Sequence, residues 1–328
     1  MKRWAKFLLK ALALTMITLI VGGIVYEQLG ERRDRQRFSQ VGRSVDIGGR
    51  SLNIHCSGEG SPTVILEGAI GYEWTPVQHE IAKFTHVCWY DRAGSGWSDL
   101  GPYPRDSTSQ VRDLHALLHA AQVPPPYVLV GESSAGLDAR VYTGIYPTEV
   151  AGLVLVNWAD PALFLNPRFS NGKRAEQIPQ IIYHSQDAAA QLFNGVGLYR
   201  LGRVPAAPPP PQGLTAAEWN TIWFLTHSSK ALSALMQDIA SWRLSSEESR
   251  TAGSLGGRPL LVLSAEHLAA PPEFLEAWTN AQSDLARLST RGRQIAVGGG
   301  ASDLLYDAPD TIVEAVRGVV AEVRVPNN

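Results

Sequence analysis

The sequence predicts an α/β chain: a mostly parallel sheet with helices on both faces and a helical cap inserted late in the sheet. Three observations predict it. "PYVLVGES", "VAGLVLVN" and "RPLLVLSAE" are near-continuous apolar runs, the pattern of strands covered on both faces. Helical text alternates with such runs, as βαβ units require. Between Asp160 and Arg258 no strand-like run occurs, a gap much longer than a connecting loop needs.

The chain begins differently from the rest. Lys2, Arg3, Lys6 and Lys10 precede the uncharged "ALALTMITLIVGGIVY", and residues 7–26 are long enough to cross a bilayer if Lys10 snorkels. "VGG" is a poor cleavage site, so an uncleaved signal anchor is expected, with secretion after cleavage as the alternative. The cations at the extreme N-terminus favour an orientation with the bulk of the chain outside the cytoplasm, while Arg32, Arg33, Arg35 and Arg37 on the other side leave the opposite orientation open. "EQLGERRDRQRF" then reads as a charged, solvated segment. The expected divisions are an anchor and linker over 1–40, a core over 41–160, a cap over 161–257 and a second core portion over 258–328.

Within the core, "SVDIGG" and "SLNIHCSG" read as a hairpin through Gly48 and Gly49, and "PTVILEG" and "HVCWYDR" as strands. Val111, Leu114, Leu118 and Ala121 form the stripe of an amphipathic helix. "LDARVYTGIY" is a helix stopped by Pro147. In the cap, "VPAAPPPPQG" is polyproline, and Thr215 with Glu218 starts a capped helix rich in tryptophan. "PPEFLEAWTNAQSDLARL" and "PDTIVEAVRGVVAEV" are helices on either side of the strand "RQIAVGG". The 328 residues carry a net charge of −2, which offers no nucleic-acid footprint.

The chemistry-bearing motif is "VLVGESSAG". Gly131, Ala135 and Gly136 are the small residues that a sharp strand-to-helix turn needs around Ser133. A serine hydroxyl attacks a carbonyl only if a base takes its proton and backbone N–H groups hold the oxyanion. Ser134 fits the turn badly as a rival nucleophile, because Glu132 stands two places before it.

At these residues the chain resembles the α/β-hydrolase family, specifically its helical-capped bacterial members, from about Val45 onward. The resemblance implies an eight-stranded α/β-hydrolase fold and a serine hydrolase of the carboxylic ester type that needs no cofactor or metal. "LEGAIG" resembles the loop after the third strand, with Glu67 and Gly68 in the family's "HG" pair. This implies Ala69 as one oxyanion N–H donor and Ser134 as the other. "YDRAGSGWSD" resembles the structural turn after the fourth strand, with Asp91, Gly94, Gly96 and Ser98, and "PDTIVEAV" the last helix.

The remaining triad positions depart from the family. Leu268 stands where its acid is expected and Ser302 where its histidine is expected. Leucine cannot orient an imidazole, and serine cannot accept a proton near neutral pH. His267, Asp160 and Asp303 are the weak base or acid candidates near strand ends, and His227 in the cap is a further spare. His115 and His119, four apart on a helix, lack the glutamate of a zinc-protease motif and read as a solvated edge. Two functions stay open: an esterase-like serine hydrolase with an incomplete or rearranged triad, or a catalytically degenerate pseudoenzyme that binds a small apolar ligand or a protein partner. The family's strand neighbours imply a disulfide between Cys56 and Cys88; two buried thiols are the plain alternative.

Overall fold

In a computed structural model of the chain, residues 2–158, 163, 197, 200, 207–211, 213–266, 272–298 and 303–325 are described. Helix α1 spans Lys2–Arg37. Strands β1 (Arg43–Asp46), β2 (Ser51–Ser57) and β3 (Thr63–Glu67) follow, then a 3-10 turn (Gly71–Trp74), helix α2 (Thr75–Ile81) and β4 (Val87–Tyr90). Helix α3 (Ser107–Ala120), β5 (Tyr127–Glu132), α4 (Ala135–Ile145) and β6 (Val150–Val156) complete the first portion. Next come α5 (Ala216–Thr226) and α6 (Ser229–Thr251), then β7 (Gly256–Ala265), α7 (Pro272–Ala286), β8 (Ser289–Val297), α8 (Leu304–Asp307) and α9 (Pro309–Arg324).

The eight strands form one sheet in the order β1-β2-β4-β3-β5-β6-β7-β8. Strand β2 runs antiparallel to both its neighbours, and every other described pairing from β4 to β8 is parallel. The alternation along the strands divides the core between the two faces. Ile65, Leu129 and Leu153 pack with α3 and α4 residues such as Leu117 and Tyr142. Val64, Val128 and Val154 pack with α2 and α9 residues such as Val77 and Val316. Parallel connections place every strand-to-helix turn from β3 onward at the carboxyl ends of the strands, where the candidate site lies.

Two features differ from the sequence reading or extend it. The charged "EQLGERRDRQRF" is exposed along most of its length, as expected of a solvated segment, but it is helical, because α1 continues through it to Arg37. Its Glu, Gln, Leu and Arg residues are good helix formers. Moreover, Glu27 and Asp34 accept hydrogen bonds from Arg200 at 2.9 and 2.7 Å, which ties the helix to the inserted segment. Cys56 and Cys88 are directly opposed across β2 and β4, with Cα atoms 4.1 Å apart, and are disulfide-bonded.

Helix α6 is seated by side chains spaced along one face. Ser241 Oγ accepts from Arg105 N, Ser245 Oγ from Ser107 N and Glu248 Oε2 from Thr108 N, at 3.1, 2.9 and 3.0 Å. Positions 241, 245 and 248 repeat at helical spacing, so a single face meets the 105–108 backbone. At its start Lys230 Nζ donates to the carbonyls of Gly96 and Ser98, each at 2.8 Å.

Candidate active site

The site begins with a backbone conformation. Ser133 has φ +52, a left-handed value that a serine adopts only where the surroundings impose it. Its N–H donates to Val156 O at 3.0 Å, which fixes the turn to β6, and Gly136 N donates back to Ser133 O at 3.2 Å. The flanking glycines are required by close approach. A Cβ on Gly131 would stand 2.8 Å from Ala135 O, and one on Gly136 would run into the Trp158 ring. The outcome is an exposed Ser133 side chain at the tip of β5, backed by the first turn of α4.

Ala69 and Ser134 are exposed beside this turn. Among the described residues, neither backbone N–H is engaged by another backbone group. The loop that carries Ala69 is held by Asp91, which is fully buried. Asp91 Oδ1 accepts from Gly71 N at 2.9 Å, and Oδ2 accepts from Trp97 N and Asn53 Nδ2, each at 2.9 Å. Ser98 Oγ completes the turn by donating to Asp91 O at 2.6 Å. The glycine-rich 91–98 segment therefore spends its polar groups on internal bonds, as a structural turn does, and positions the neighbouring 69–74 loop.

Three carboxyls converge at these strand ends. Glu132 ends β5, Glu73 lies on the 3-10 turn, and Asp303 caps α8 by accepting from Leu305 N at 3.2 Å. Burial, and after it the charges of Asp303 and Glu73, push the Glu132 carboxyl up to about 8, although Arg92 pulls the other way. Burial likewise raises Glu73 to about 7, although a hydrogen bond with Tyr306 pulls the other way. Asp303 is raised, mainly by partial burial. Asp303 raises both glutamates by its charge, so ionising one member of the cluster disfavours ionising the others. Trp219 of α5 meets Tyr306 edge to face, with centroids 5.6 Å apart, and Tyr306 is hydrogen-bonded to Glu73.

The expected site residues are distributed as follows. Ser133, Ser134 and Ala69 lie at the carboxyl ends of the adjacent strands β3 and β5, and Asp303 is close enough to Glu132 for its charge to act on it. Asp160, His267, Leu268 and Ser302 lie outside the described residues. His227 is not at the elbow: its Nδ1 is 2.9 Å from Trp223 O and its ring stacks on Trp223. It lines a cavity of 640 Å³ with Phe38, Trp97 and Phe224, and no elbow residue lines that cavity. His115 stacks on Tyr146 and lies 3.1 Å from Glu149, while His119 is exposed. Among the described residues no histidine hydrogen-bonds to Ser133. The sequence reading missed Glu73, Glu132 and Tyr306. One signal was available: Glu132 is a lone acid ending an otherwise apolar strand.

The geometry matches solved structures of hydrolases. Epoxide hydrolase CorEH superposes with a TM-score of 0.64 at 17% identity, over 87% of this chain and 99% of that one. A putative lipase (lip1) from Acinetobacter baumannii AYE gives 0.61 at 17% identity, over 90% of this chain and 96% of that one. This is the α/β-hydrolase fold. No family model matches the sequence of this α/β-hydrolase-fold chain. Among curated proteins, YqjL of Bacillus subtilis (strain 168) is 26% identical over 268 residues, covering 81% of this chain and 86% of its own length. YbdG of the same organism is 22% identical over 174 residues, 52% of this chain and 54% of its own length. The probable transporter efuK of Hormonema carpetanum is 32% identical over 126 residues, 35% of this chain. The chain thus spans only 54% of YbdG and 18% of efuK.

Proposed function

We propose that the protein is a serine hydrolase of acyl esters in which a buried carboxylate replaces the usual imidazole base. The observation that carries this is the exposed Ser133 at φ +52, immediately after Glu132 in a cluster of carboxyls with raised pKa. In this reading Ser133 Oγ attacks the ester carbonyl while the Glu132 carboxylate takes its proton. The N–H groups of Ala69 and Ser134 receive the oxyanion. The protonated Glu132 gives the proton to the leaving alkoxide, and water then cleaves the acyl-serine by the same route. A base works best with a pKa near the operating pH, and Glu132 at about 8 brackets neutrality from above as an imidazole does from below. Trp219, packed on Tyr306, favours a small apolar acyl or alkyl group.

The test uses the full-length protein in detergent, an activated ester and a fluorophosphonate probe. Slow probe labelling that disappears in Ser133→Ala is expected. Glu132→Gln should lower turnover by roughly 10²–10⁴ and remove a rise in rate centred near pH 8. Turnover abolished instead by His267→Ala would move the base to that histidine. The second reading, a ligand-binding pseudoenzyme, is favoured by the crowding of the carboxyls, which keeps the base mostly protonated. A wild type that neither labels nor turns over at any pH would establish it.

The anchor belongs to the same proposal. Residues 3–34 lie in one helix with a mean hydropathy of 2.2 over its most apolar window, long and apolar enough to cross a membrane. It is expected to hold the protein in the membrane with the sheet on the extracytoplasmic side. Carbonate extraction should leave the chain in the membrane pellet; a soluble product beginning near residue 24 would mean a cleaved signal instead.

A further inference from the structure

At the end of the sheet opposite Ser133, three ligand-bearing side chains meet on one face. Cys56 on β2 opposes Cys88 on β4, and His86 stands two residues before Cys88, so the pleat places all three on the same side. Their sulfur and ring-nitrogen atoms all lie within 4.8 Å of one another. We propose that reduction of the Cys56–Cys88 bond uncovers a zinc site whose protein ligands are Cys56, Cys88 and His86.

The surroundings of His86 carry the argument. Its Nδ1 is 3.3 Å from Thr63 Oγ1. That hydroxyl already donates to Pro124 O at 3.1 Å, so it accepts from His86, and Nδ1 carries the proton. Nε2 is then the atom with a free lone pair, and it lies 4.0 Å from Cys88 Sγ. A histidine whose far nitrogen donates to a fixed acceptor is oriented as zinc-binding histidines are. Two thiolates and one imidazole suit zinc in tetrahedral geometry. Cys56 and His86 are half-exposed, so a water can reach the fourth position.

The chemistry balances with a named reductant. A phosphine and water break the S–S bond, giving two thiols and a phosphine oxide; a dithiol does the same and is itself oxidised to a disulfide. Zinc then binds both sulfurs and His86 Nε2, releasing two protons to solvent. The oxidised chain has no thiolate to offer, so metal binding is gated by redox state.

The experiment compares full-length protein in detergent before and after phosphine treatment. One zinc ion per reduced chain is expected, and none on the oxidised chain. Cobalt added to the reduced chain should give thiolate-to-metal charge-transfer absorption that zinc abolishes. His86→Ala keeps both thiols and is expected to weaken zinc binding at least about tenfold. Thr63→Val keeps all three ligands but removes the acceptor for Nδ1, and should weaken it by roughly 10–100-fold. Thr63→Val keeps the test decisive if His86→Ala fails to fold. Equal zinc binding by oxidised and reduced wild type would overturn the proposal. So would no binding after reduction, or unaltered affinity in whichever of the two variants folds.

Discussion

In the Glu132→Gln background, adding Leu268→Asp and Ser302→His is expected to raise the hydrolysis of an activated ester by at least about 100-fold. The two added residues stand at the positions where the resemblance to α/β-hydrolases puts the acid and the histidine. The parent variant lacks both the family's imidazole and the proposed carboxylate base. It should retain only the contribution of oxyanion donors and binding, on the order of 10³–10⁴ over water. A positioned general base contributes 10²–10⁴, so an imidazole within reach of Ser133 should recover that factor, about 3 kcal/mol at its lower end. The recovered activity should follow the titration of a histidine, with a rise in rate near pH 6–7 where the wild type has its own near pH 8. The readouts are the pH profile of kcat/KM and probe labelling at Ser133. A folded variant with no gain would mean that the oxyanion donors or the acyl pocket are not in place, and would sink the hydrolase reading.

What the sequence disclosed follows from what local physics dictates. The turn at Ser133 was legible because a strained, close-packed backbone admits only small residues, and Gly131 and Gly136 record that constraint. The 91–98 turn was legible for the same reason: Gly96 packs directly on the Asp91 carboxyl. The strand positions were legible because apolar runs alternate with helical stripes. The carboxyl cluster was not, because Glu73, Glu132 and Asp303 come from a 3-10 turn, a strand end and a helix cap far apart in the chain and meet only after the sheet has formed. Each reads locally as an ordinary polar residue at an element end. The continuation of α1 was hidden likewise, since charged text looks solvated until Arg200, far along the chain, pairs with Glu27 and Asp34.

Arg92→Met is expected to destabilise the folded chain by about 3–5 kcal/mol at pH 8, the cost of leaving buried charges unpaired. Arg92 lies just behind the elbow and is 6% exposed. Its Nε and Nη2 donate to Glu67 Oε1 at 3.2 and 3.1 Å, and Nη2 also pairs with Asp138 of α4. Tyr90 donates to the same Glu67 oxygen at 2.7 Å, and Asp238 of α6 stands 3.8 Å from Nη1. One guanidinium thus links the end of β3, the helix after Ser133 and α6. Burial raises Asp138 to about 8 and Asp238 to about 6 even with Arg92 present, so their ionised forms depend on it. A carboxyl raised in the folded state favours folding while it is protonated. That contribution is full below the unfolded value near 4 and is lost as pH climbs through the folded value. Without Arg92 the folded values rise further and the loss deepens. The defect should therefore be smallest near pH 5 and largest at pH 8, where a Tm drop of roughly 10 °C is expected. Adding Glu67→Gln and Asp138→Asn to Arg92→Met removes the stranded charges and should recover much of the loss at pH 8. Denaturant melts of the detergent-solubilised full chain at the two pH values measure both effects. A loss that is the same at pH 5 and pH 8, or below about 1 kcal/mol at both, would show that the stability of this junction comes from packing and not from the ion network.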